Sequence, residues 1–108
     1  MAMGCQEWAG SDHETWILVR EGKVQRLGGV RVGDKSGKVW PVAETREDAM
    51  KLVKCFGEGT TAALIGSAPG ETLESHIEMA IDEGCIAIVS PRGWNEDGSP
   101  IWGLIEFN

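Results

Sequence analysis

A chain of 108 residues with 42% hydrophobic and 25% charged residues has the make-up of an ordinary globular domain, which excludes disorder, collagen-like fibres and coiled coils. Its length predicts one domain, able to bury roughly 60 to 70% of its unfolded surface without metal or disulfide staples. The net charge of −7 is carried wholly by residues 61–108, where Arg92 faces eight carboxylates, while residues 1–60 balance nine Lys/Arg against nine Asp/Glu.

Apolar stretches reach about six residues, against the ~20 of a membrane-spanning helix, and none follows a basic start at Met1. The expectation is a cytoplasmic protein without membrane contact. Cys5, Cys55 and Cys85 are odd in number and stand at no metal or redox spacing, which predicts reduced thiols. Cys55 and Cys85 fall on a helix and a strand that read as buried, leaving Cys5 as the expected reactive thiol.

Residues 1–13 show no periodicity and read as a loose N-terminal arm with Trp8 as its docking residue; residues 14–108 form the domain. Thr15–Arg20 is a strand by its β-branched and aromatic content, and Glu21-Gly22 turns it into Lys23–Leu27 as a hairpin. Gly28-Gly29 predicts a bulge before Val30–Val32, and Gly33–Gly37 is a turn that returns the chain as Lys38–Ala43. Pro41 donates no ladder hydrogen bond, so its strand lies at an edge or is distorted there.

Two helix-period segments follow, Thr45–Phe56 and Thr72–Glu83, each stopped by a glycine, Gly57 and Gly84. In the first, Thr45 is the N-cap and Ala49, Leu52, Val53 and Phe56 repeat as one core-facing stripe. In the second, Leu73, Ile77, Ala80 and Ile81 line one face and Glu74, Glu78 and Asp82 the other. Each helix feeds an apolar strand, Thr60–Gly66 and Cys85–Ser90, and Ile86–Val89 is apolar enough for a central position covered on both sides.

Pro91 ends that strand, Arg92–Pro100 is a turn region, and Ile101–Phe107 is the last strand. The two strands are expected to pair as a hairpin of open register, in which a three-residue loop at Asp97–Ser99 would put Trp94 opposite Trp102. Ile101, Ile105 and Phe107 then face one side and Trp102 and Leu104 the other, with no charge before Glu106. Both faces want cover, and with two helices to share, a second copy of the chain is the expected partner.

Catalytic patterns fail on inspection. The loop Gly66–Thr72 sits where a phosphate loop would, but it is one residue short and puts Glu71 in the lysine position, so it reads as a helix start. Ser67 lacks the glycine of a nucleophile elbow. His76-Ile77-Glu78 matches the H-x-E of zinc deaminases without the P-C-x-x-C that completes the site. Cys–His catalysis meets acidic surroundings, which disfavour a thiolate. No catalytic residue, cofactor or metal is expected. Basic residues cluster at Arg20, Lys23, Arg26, Arg31, Lys35 and Lys38, yet a pI near 4.7 argues against nucleic acid.

The stretch Gly37–Ala49 (GKVWPVAETREDA) resembles the segment of SseB-type N-terminal domains in which a glycine turn leads through a proline-bearing strand to a helix. Gly84–Gly93 (GCIAIVSPRG) is similar to that family's glycine, apolar strand and Asn-Pro-Gly ending, with Ser90 in place of Asn, and Ala43-Glu44 departs from its aromatic and small hydroxyl pair. The resemblance covers residues 15–93 and implies an α+β domain in non-catalytic roles, including association with secretion systems. In size and lack of motifs the chain is also similar to orphan products of mobile gene cassettes.

The reading is an α+β fold with a mixed, mainly antiparallel sheet of about six strands and two helices. Its leading function is a non-enzymatic interaction domain that self-associates through the Trp-rich C-terminal strand, with Trp94, Trp102, Leu104, Arg92 and Ile101 as interface or ligand residues. Another protein or a small anionic ligand are the other partners considered. In the alternative, a small-molecule site or an enzyme, Trp94, Trp102 and Arg92 line a pocket and Arg92 orients an anion. The plainer role for Arg92 is an ion pair with Glu96 or Asp97.

Overall fold

Two threonines and two glycines set the limits of the middle of the chain. In the computed structural model, which describes residues 3–107, Thr45 Oγ1 accepts from Asp48 N–H at 3.1 Å and Thr72 Oγ1 from Ser75 N–H at 3.1 Å. These caps satisfy donors that the first helical turn leaves orphaned. Gly57 and Gly84 take φ of 94° and 90°, where a side chain would be strained, and their N–H groups close on Val53 and Ile81 carbonyls.

In chain order the elements are β1 (Met3–Gly4), α1 (Cys5–Ala9), β2 (Trp16–Arg20), β3 (Lys23–Val24), β4 (Leu27–Val32), β5 (Lys35–Ala43), α2 (Arg46–Phe56), β6 (Thr60–Leu64), α3 (Leu73–Asp82), β7 (Cys85–Trp94) and β8 (Pro100–Glu106). The fold is α+β. Its mixed sheet runs β1-β8-β7-β5-β2-β3, with β4 also on β5 and β6 also on β2. Pairing is parallel at β5–β7 and β1–β8 and antiparallel elsewhere.

One edge of β5 changes partner along its length, from β4 (Leu27↔Val39) to β2 (Ile17↔Val42). Pro41 falls at this handover, inside the sheet and buried, where a strand lacking one N–H loses least. On one face of the sheet the apolar side chains of β4 pack with those of β5, β7 and β8. Val39, Ala87 and Val89 are buried there against Leu27, Val30, Val32, Trp102 and Leu104.

The opposite face holds the largest core. Trp40, Ile17, Val42, Ile88 and Ile105 are covered by Cys5 and Trp8 of α1 and Ala80 of α3, with Leu73 and Ile77 beside them. The expected loose arm is therefore replaced over residues 3–9 by β1 and α1, because Trp8 sinks to 1% exposure and stacks on His13 at 4.7 Å. Among the described residues the helices are three rather than two and the strands eight rather than about six, with α1 and the short β1 the pieces not expected. α2 covers part of the other face with Ala49 and Leu52, packed on Leu18 and Ala43.

The basic cluster is partly spent inside the molecule. Arg26 Nε and Nη2 donate to the two Glu83 carboxylate oxygens at 3.2 and 3.1 Å, and Lys38 Nζ donates to the Glu83 carbonyl at 3.1 Å. Cations at the end of α3 complement its dipole.

Docking of α1 reverses the thiol assignment. Cys5 and Cys85 are buried, and desolvation raises both thiols above their ordinary range; Cys55 is exposed, with Sγ 3.5 Å from the Gly98 carbonyl. An aromatic disulfide reagent is expected to titrate Cys55 alone in the native protein and all three thiols after unfolding. Because the folded values of Cys5 and Cys85 are raised, the stability tied to their neutral forms is complete below the ordinary thiol range and is lost as pH rises through those raised values. A urea midpoint falling from pH 8 to pH 10 checks this sign.

Candidate binding surface on the last two strands

β7 does not end at Pro91. It continues to Trp94 because a register shift between Pro91 and Gly93 absorbs one extra residue, Arg92. The turn that follows is Asn95–Ser99, held by Asn95 N–H to the Ser99 carbonyl at 2.8 Å and by Asp97 Oδ1 accepting from Ser99 N–H and Oγ at 2.9 and 2.6 Å. Those bonds hold the Asp97 carboxyl below the usual carboxylate range. Trp94 accordingly faces Pro100, and Trp102 faces Pro91, so the two indoles are not opposite each other.

Directly paired residues share a sheet face, which sorts the sequence-predicted site residues. Trp102 and Leu104 stand with Val89 and Val39 on the face that β4 approaches. Trp94 lies on the same face but leans on α2, where Nε1 donates to Asp48 Oδ1 at 3.1 Å and Lys51 Nζ sits 5.2 Å from the ring centre. Arg92 is on the other side. A Cβ built on Gly103 would fall 2.8 Å from Arg92 Cδ and nearer still to Cγ and Nε, so the arginine stem occupies the space a side chain at 103 would need. Among the described residues no carboxylate lies within 4.0 Å of Arg92, and the expected pair with Glu96 or Asp97 is not formed. Ile101, beside Gly93, is 48% exposed.

The pocket imagined between Trp94, Trp102 and Arg92 is thus divided. Trp102 instead lines an apolar groove of about 280 Å³ with Leu27, Val30, Val39, Val89 and Leu104, and Arg31 stands at its rim. Trp94 borders a separate open cleft of about 660 Å³ with Lys51, Lys54 and Cys55. Sequence reasoning missed the β4 wall. Its signal was the alternation Val30-Arg31-Val32, whose apolar members share the face of Val39.

Chemistry beyond binding finds little to work with. His76 Nε2 lies 3.0 Å from Glu71 Oε2, and Glu71 Oε1 accepts from Gly66 N–H at 2.7 Å. These bonds lower the Glu71 carboxyl and clip the Gly66–Thr72 loop to α3. Among the described residues no group of three or more His, Cys, Asp or Glu is placed to hold a metal ion, and no helix is long and apolar enough to cross a membrane. Comparison with family models, curated proteins and solved structures finds no match.

Proposed function

We propose that this chain is a non-enzymatic interaction domain that self-associates through β8. The observation that carries the reading is the outer edge of that strand. β1 pairs it only at Ile105 and Glu106, and from Pro100 to Leu104 the edge has no ladder partner among the described residues. An unpaired edge is a template for another strand, and proteins that avoid pairing place a lysine, an inward charge or a short strand there. β8 has seven residues and no charge before Glu106. Two copies meeting antiparallel would continue the sheet and bring their exposed Ile101 and half-buried Trp102 side chains together.

Light scattering on the purified protein at micromolar concentration tests this. The wild type is expected at twice the chain mass. Trp102→Ala should weaken assembly by about 2 kcal/mol, roughly thirtyfold in Kd. Ile101→Lys, at an exposed position where folding is not at stake, should be monomeric. A monomeric wild type overturns the reading.

A further inference from the structure

We infer that the groove between α1 and α3 is a binding site for a small organic ammonium ion with an aromatic or aliphatic body. It lies beyond the end of β8, at Phe107, and so stands apart from the free edge at residues 100–104 where self-association is proposed. Its volume of about 450 Å³ falls in the ordinary range of ligand sites. The groove exists because α1 docks.

Helical spacing sets both walls. On α3, Glu74, Ile77 and Glu78 stand at i, i+3 and i+4 and form one flank; on α1, Cys5 and Ala9 are one turn apart and line the other side. Ile77, Ala9 and Phe107 are half-buried and Cys5 is buried, its thiol kept neutral by desolvation. The floor is therefore uncharged and mostly hydrocarbon.

The rim is acidic. Glu74 and Glu78 are exposed, and the other polar side chain lining the groove, Gln6, carries no charge. Two carboxylates one helical turn apart repel, and a cation between them relieves the repulsion. At the C-cap of the same helix Glu83 holds the Arg26 guanidinium, whereas no cation lies within 4.0 Å of Glu74 or Glu78 among the described residues. An ammonium group brings N–H donors to acceptor-only carboxylates while its hydrocarbon body leaves water for the floor. A bare metal ion gains nothing from the floor, and a neutral ring gains nothing from the rim. Because the ligand touches both helices, it binds the docked α1 and opposes its release.

Titration of 2-phenylethylammonium chloride into ¹⁵N-labelled protein, followed at the backbone amides of Ala9, Gly10, Ile77 and Glu78, tests the assignment. The expected result is saturable movement of these signals with a Kd at or below about 1 mM. Neutral 2-phenylethanol should bind about tenfold more weakly, as should the amine to a double variant carrying Glu74→Gln and Glu78→Gln, both at exposed positions. The amine at ten times its Kd should slow labelling of Cys5 by iodoacetamide about tenfold and leave exposed Cys55 unaffected. The monomer-directed variant Ile101→Lys should bind the amine like the wild type, which separates this site from assembly. No saturation, equal binding of amine and alcohol, unslowed labelling of Cys5, or the same shifts from magnesium chloride overturns it.

Discussion

Replacing Trp40 with alanine is expected to cost about 3–5 kcal/mol, a large share of the 5–15 kcal/mol that holds a domain of this size. Trp40 is fully buried in the middle of β5, between Ile88 on the neighbouring strand and the α3 cover. It is also the surface on which two charged or polar groups rest: the Arg26 guanidinium carbon lies 5.6 Å from the ring centre, and His76 stacks at 6.2 Å. Alanine therefore opens a cavity and unseats the Arg26–Glu83 tie together. Trp40→Phe is expected to cost far less. The indole Nε1 is buried without a hydrogen-bond partner among the described residues, so removing it relieves an unmet donor and offsets part of the lost volume. Urea unfolding followed by circular dichroism should give the order wild type, Phe, then Ala, with a wide gap before the last.

Trp8→Ala should have a similarly large effect, about 3–5 kcal/mol, and a more local one. α1 is five residues long, and an isolated helix below about 12–15 residues is marginal in water, so its structure depends on Trp8 lying 1% exposed in the core. Without the indole, β1 and α1 are expected to release while the rest of the sheet persists. Cys5 supplies the readout, because it is shielded only by that docking. The native thiol count should rise from one to two in Trp8→Ala before any change in the circular dichroism of the sheet.

The order helix, strand, helix, strand in the middle of the chain was legible because capping threonines and terminal glycines act locally. The burial of Ala87–Val89 was legible too, because an apolar run needs cover on both faces. What escaped depends on distant partners. Residues 3–10 carry no periodicity, since a single large side chain, Trp8, supplies most of what holds them. The passage of β7 through Pro91 rests on a bulge at Arg92 that is possible only because residue 103, on the next strand, is glycine. Of the candidate site, Trp102, Leu104 and Ile101 were identified as a patch wanting cover, whereas Leu27 and Val30 join it by packing between strands distant in sequence, which no local pattern marks. Arg92 was chosen for its isolation among carboxylates, and the bulge turned it to the opposite face.

The central claim, that the edge of β8 is where two copies meet, is tested most directly by hydrogen exchange, at low and high protein concentration, of those amides in residues 101–104 that point away from β7 to the free edge. Exchange reports the opening of individual backbone hydrogen bonds. The account predicts that protection of these amides rises with concentration in the wild type and stays at the low level in Ile101→Lys. Exchange of these amides that is the same at every concentration would contradict it.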